Sequence, residues 1–93
     1  MKLFEKARIV EVLPTRSGDG KNGTWYRTDV RVEEMDVDYP NSCVMTLWKS
    51  AEEAAAMGVT TGAVGQVFAS IGMRLAEGGK WYNDMRMLRF NAG

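Results

Sequence analysis

Hydrophobic and polar side chains alternate with a period of two through much of the chain, and the places where the alternation stops mark the predicted turns. The clearest run is Trp25 to about Met35, where Tyr26, Thr28, Val30 and Val32 fall on one side and Trp25, Arg27, Asp29, Arg31 and Glu33 on the other. One side is suited to burial; the other carries an indole beside two guanidinium groups. Residues 3–16 predict an earlier strand, with Ala7, Ile9, Glu11 and Leu13 facing one way and Arg8, Val10 and Val12 the other. Pro14 bends its end or confines that end to an edge. Between the two, Ser17 to Thr24 holds Gly18, Gly20 and Gly23 with Asp19 and Asn22, a composition that predicts a loop with a mobile tip.

After the second strand the run EEMDVDYPN reads as a solvated connection. A third strand, Ser42 to Lys49, turns Met45 and Leu47 to the core if its register matches the second, leaving Val44, Thr46 and Trp48 outward. That register places a second exposed indole on the surface of Trp25. SAEEAAAMG predicts a short helix, with Ser50 as N-cap, Glu53 as its reciprocal partner and Gly58 as the stop. Thr60 to Gly65 reads as a turn and Val67 to Leu75 as a fourth strand, in which Gly72 marks a bulge or bend. Ala76 to Lys80 forms a loop. The fifth strand, Trp81 to Phe90, sets Met85 and Met87 against Arg86 and Leu88. Its lead-in, GGKWYNDMRM, repeats the glycine, lysine and Trp-Tyr pattern that opens the second strand.

Three strands, a short helix and two strands, all in one small domain spanning residues 1–93, predict an all-β fold. The economical closure is a five-stranded Greek-key OB-fold barrel with the helix between the third and fourth strands. A flat sheet of the same strands would leave a face that one short helix cannot cover.

Composition narrows the chemistry. The chain has no histidine and a single cysteine, Cys43, so an internal disulfide, the common zinc sites and a histidine-activated nucleophile are excluded. Cys43 lies in an apolar run and reads as a small buried or half-buried side chain. Carboxylate pairs at Glu33-Glu34, Asp36-x-Asp38 and Glu52-Glu53 lie in or beside a polar connection or on a helix surface, so no enzyme, metal or other cofactor is expected. The glycine loop is followed by a strand rather than by GK[ST] and a helix, which excludes a P-loop. The charged opening MKLFEKARIVEV is unlike a secretory leader, and no apolar run reaches membrane length. A cytoplasmic, non-membrane protein is expected. Lys plus Arg equals Asp plus Glu at 12 each, but residues 1–31 hold seven bases and four acids, 32–53 one base and six acids, and 54–93 four bases and two acids. The acidity is concentrated between the two aromatic units.

The succession of EVLP at Glu11 to Pro14, the glycine-loop exit Gly23 to Trp25, TLW at Thr46 to Trp48 before the helix, and GKWYNDMRML at Gly79 to Leu88 resembles bacterial single-stranded-DNA-binding proteins. It is closer still to a small family of single-domain bacterial proteins similar to them. The resemblance spans nearly the whole chain, and its specificity lies in the order and spacing of short motifs. It implies homo-oligomerisation and a role in replication, repair or mobile elements. The zero net charge departs from what a surface wrapping many phosphates would carry.

Binding single strands without reading sequence requires cations for the backbone and aromatic faces for the bases. Trp25, Trp48 and Trp81 are the candidate stacking residues, and Lys21, Arg27, Arg31, Lys80 and Arg86 the candidate phosphate contacts. The expected partner is single-stranded DNA, ahead of RNA. Against this stand structural roles for the same residues. Tyr26 and Tyr82 are expected to plug the ends of the barrel, and Trp48 also fits beneath the helix or in a subunit interface. Arg27 and Arg31 alternate with Asp29 and Glu33 and also suit cross-strand pairing. The alternative function is an OB-fold protein-interaction or oligomerisation module that binds no nucleic acid.

Overall fold

The computed structural model describes residues 1–93. It contains strands β1 (Lys2–Val12), β2 (Arg16–Gly20), β3 (Gly23–Glu34), β4 (Ser42–Leu47), β5 (Val64–Leu75) and β6 (Trp81–Ala92), with helix α1 (Ala51–Ala56) between β4 and β5. The first strand closes the structure. Its beginning pairs with β5 from Lys2 opposite Ser70 to Arg8 opposite Val64, and its end pairs with β3 from Ala7 opposite Glu34 to Val12 opposite Val30. The ring therefore runs β1-β5-β6-β4-β3 and back to β1, with β4 and β6 parallel at Thr46 and Arg86. This closed order, with the helix after the third barrel strand, is that of the predicted OB-fold. No helix is long and apolar enough to cross a membrane.

Alternation fills the ring. Ala7, Ile9, Val30, Val32, Met45, Leu47, Val67, Ala69, Met87 and Phe90 point inward and are buried, while Ala54 and Val59 close the core from the helix and the turn after it. Ile9, Val30, Val59 and Val67 have almost no exposed surface, so each contributes about 1.5 to 3 kcal/mol of apolar burial. Closure also needs Gly65, where any side chain would collide with the Asn91 carbonyl. The helix begins as expected: the Ser50 hydroxyl accepts from the Glu53 amide at 3.2 Å, and Gly58 follows the last turn at φ 86°.

Four expectations change. Residues 17–20 are not part of a loop, and Arg16 does not end the first strand. Together they form β2, paired with β3 from Arg16 opposite Arg27 to Gly20 opposite Gly23 around a turn at Lys21 and Asn22. The barrel has five strands, and β2 is a sixth strand attached outside it. The alternation of β1 breaks at Val10, where the register with β3 slips between Ile9 and Glu11. The extra residue turns Val12, rather than Glu11, toward the core. The irregularity in the β5–β6 pairing lies between Phe68 and Ala69, not at Gly72, which pairs regularly with Asp84. Finally, neither Tyr26 nor Tyr82 plugs the barrel, and both are exposed.

Tyr26 lies where β3 pairs with β2, outside the barrel, and for Tyr82 the change follows from length. Strands β5 and β6 outrun their neighbours: β1 stops pairing at Ser70, and β4 bridges β6 only at Arg86. Residues 72–83 therefore project as a two-stranded arm. The radius of gyration is 13.9 Å, against about 12 Å for a compact chain of this length.

Candidate nucleic-acid interface

The outward side of β3 carries Trp25, Arg27, Asp29 and Arg31, and the neighbouring strands set their partners. Gly18 of β2 lies opposite Trp25, Arg16 opposite Arg27, Thr46 of β4 opposite Asp29 and Val44 opposite Arg31. Trp48, immediately after β4, completes the row. Its ring centroid is 6.1 Å from that of Trp25 at 74°, and the Arg27 guanidinium sits 5.7 Å from the Trp48 centroid. Because the indoles meet edge to face, they do not sandwich one base together. Each offers a separate stacking surface.

The glycines of β2 support this arrangement. A Cβ at Gly18 would lie 2.5 Å from Trp25 Cζ2, and one at Gly20 3.5 Å from Trp25 Cδ1. The indole is laid over a strand with no side chains beneath it. A stretch whose composition reads as a loop is thus a glycine platform for an aromatic ring.

Asp29 organises the cations. Its carboxylate, with a side chain only 12% exposed, accepts from Arg27 Nε at 3.1 Å and from the Thr46 hydroxyl at 3.1 Å, and has an Arg16 terminal nitrogen at 4.0 Å. Held through Nε, Arg27 keeps its terminal N–H groups free for an anion. Thr28, on the inner side, donates to the Lys49 carbonyl at 2.8 Å and accepts from Thr15 at 2.7 Å, which fixes the chain just before the helix.

The parallel contact of β4 with β6 brings a second set of residues to Trp48. An open groove of about 510 Å³ is lined by Arg27, Thr46 and Trp48 on one side and by Arg74, Asp84 and Arg86 on the other. Arg86 Nε lies 3.7 Å from Asp84. Arg74 forms no ion pair and stands 6.0 Å from the Tyr82 ring across the arm. At the edge of the groove Cys43 donates to Met85 Sδ at 3.4 Å. Burial, then the nearby Glu34 carboxylate, pushes its thiol above the ordinary range, so it stays protonated at neutral pH.

The structure thus brings Trp25, Trp48, Arg27 and Arg86 together. Arg31 is on the same side of β3 but is turned to Glu11 of β1, 3.8 Å away. Lys21 occupies the β2–β3 turn, and Lys80 precedes β6 at the tip of the arm. Trp81 shares its side of β6 with Asn83, Met85 and Met87, the core side, on a segment that has passed the core, and it is 62% exposed. Tyr82 is the arm residue on the side of Asp84 and Arg86. Arg16, Arg74 and Tyr82 are the residues that sequence reasoning missed. Arg16 lay beside a presumed loop, Arg74 in an unremarkable strand, and Tyr82 was assigned to a plug. Alternation counted back from Arg86 would have found Tyr82.

A scan against protein-family models finds no match, and a search of curated proteins finds none. Among solved structures, the chain is similar to a small single-stranded DNA-binding protein from Streptomyces coelicolor. The match has 14% identity and a TM-score of 0.48, over 100% of this chain and 94% of that one. The fold assignment rests on the strand order and closure of the barrel.

Proposed function

We propose that the outer face of β3, β4 and β6 binds single-stranded nucleic acid, DNA in preference to RNA, without catalysis. The observation that carries this reading is the cluster of two exposed indoles with Arg27 over one of them, opening onto a groove with Arg74 and Arg86 on its far wall. Flat bases stack on Trp25 and Trp48, and the guanidinium groups meet the phosphates between them. Lys21, Arg31 and Lys80 are outlying cations within reach of a longer strand, and Trp81 is an accessory stacking residue on the arm. One barrel offers a short track, so association of copies would raise avidity.

Tryptophan fluorescence tests this directly. Titration with oligo-dT at low and moderate salt should give saturable quenching that weakens with salt and that Trp48→Ala diminishes. Absence of quenching at low salt, at tens of micromolar protein, would overturn the reading.

One observation favours a second reading. Arg16, Arg27, Arg31 and Arg86 each have a carboxylate within 4.0 Å, so the face is less positive than its arginines suggest. A protein interface would use the same aromatic face, and its affinity would change little with salt. The salt series therefore separates the two.

A further inference from the structure

The barrel carries a second aromatic and cationic cluster on the side away from Trp25. The Phe4 and Phe68 rings lie 4.2 Å apart between β1 and β5, and the Arg89 guanidinium sits 4.4 Å from the Phe68 centroid. Phe4 is half exposed, and neither Arg89 nor the nearby Lys2 forms an ion pair. Core packing does not account for the cluster, since these rings are on the outward side of their strands.

Register connects the cluster to the groove. Asp29 is opposite Thr46, Thr46 opposite Arg86, Arg86 opposite Ser70, and Ser70 opposite Lys2. These residues form one outward row across β3, β4, β6, β5 and β1. A second concavity of about 280 Å³ lies along this row, with Lys2, Arg86 and Leu88 around Ser70 and Gly72. It shares Asp84 and Arg86 with the groove beside Trp48, so the two meet on β6. Gly72 has nothing within 4 Å of where a Cβ would stand, which leaves the floor open. From the floor, Phe68 is two residues along β5 from Ser70, and Phe4 two along β1 from Lys2.

We propose that the Phe4, Phe68 and Arg89 cluster is a second stacking site for the same nucleic-acid strand. The strand leaves Trp48, crosses β6 over Arg86 and passes between Lys2 and Arg86 above Ser70 and Gly72. From β4 to β1 is three strand spacings, about 14 Å, a modest extension on the scale of the roughly 4 to 16 nucleotides that one OB barrel covers. The occupant is argued from charge and continuity. Beyond Thr46 the row offers Lys2 and Arg86, with Arg89 at the cluster, against the carboxylate of Asp84, while Asp29 at its start is already engaged by Arg27 and Thr46. The row begins in the groove already assigned to nucleic acid. The inference rests on that assignment.

The test compares oligo-dT of about 5 and about 15 nucleotides, near the two ends of that range. The protein should bind the longer oligonucleotide more tightly. Phe4→Ala should weaken the longer by about tenfold, the loss of one stacked base, and the shorter one much less, because it cannot fill both clusters together. Lys2→Ala and Arg89→Ala should each lower the salt slope for the longer oligonucleotide by about 0.7, one phosphate contact. These two exposed positions decide the matter if Phe4→Ala fails to fold. Equal effects on both lengths, or none on the longer, would overturn the second site while Trp48-dependent binding of the shorter oligonucleotide stood. A change in oligomeric state with Phe4→Ala and unaltered length dependence would also overturn it, in favour of an interface between copies. Binding of neither length would overturn both readings.

Discussion

Trp25 and Trp81 enter their strands through almost the same local sequence, glycine and lysine before and tyrosine after, yet the structure treats them differently. Trp25 lies over Gly18, meets Trp48 edge to face and stands two residues from an arginine anchored on Asp29. Trp81 has no aromatic partner and lies on the core side of an arm that has run past its core. Local sequence supplied each with an aromatic ring beside a turn. Neighbouring strands decided which ring is held in place. A ring immobilised before binding loses less side-chain freedom on binding, a difference of about 0.5 to 1.5 kcal/mol per ordered side chain. Two regions with one motif should therefore contribute unequally.

The sharpest way to break that comparison is to remove a ring from each region. Trp48→Ala removes a stacking surface and the seat of Arg27, and oligo-dT affinity should fall about 5- to 150-fold. In the same fluorescence titration, Trp81→Ala should cost less than about 3-fold, because the ring must be ordered before it can stack. Equal losses would mean that the arm closes on the strand and that the distinction fails.

The platform beneath Trp25 can be tested without touching a ring. Gly18→Ala forces the indole off β2, and affinity should fall about 3- to 10-fold, less than complete loss of a stacked base. Near-ultraviolet circular dichroism should report the displaced tryptophan while the thermal transition shifts little. Unchanged affinity would show that the pre-set position of Trp25 is irrelevant.

A smaller effect, opposite in sign, is expected at Asp29. Asp29→Asn keeps an acceptor for Arg27 and Thr46 but removes the charge that offsets Arg16 and Arg27. Binding at low salt should tighten by about 2- to 5-fold, with a salt slope steeper by up to about 0.7. Stability should drop by about 1 to 3 kcal/mol as the charge-assisted hydrogen bonds weaken, measurable by urea denaturation. If the face binds protein instead, affinity for oligo-dT will not respond.

Much of this was legible in the chain. The alternation of β3 identified Val30 and Val32 as inward and Trp25 and Arg27 as outward, and the same rule placed Met45, Leu47 and Trp48. Ser50, Glu53 and Gly58 bounded the helix because capping depends on residues a few positions apart. The β2 strand was not legible, since glycines have low strand propensity and their reason for being there, the Trp25 ring, approaches from the adjacent strand. Nor was the slip at Val10, which exists because β1 must change partners from β5 to β3. Tyr26 and Tyr82 were read as plugs because alternation gives the side of a strand without saying where the core beneath it ends.

By itself, then, the sequence determined the elements whose causes are local: period-two strands, a capped helix, and aromatic residues beside glycine turns. It also excluded histidine chemistry and an internal disulfide. Only the tertiary structure decided which outward residues become neighbours. The parallel approach of β4 to β6 brings Arg74 and Arg86 to Trp48, and the closure of β1 on β5 brings Phe4 onto Phe68. These contacts join residues far apart in the chain. Barrel closure and register set them, and no local pattern encodes either.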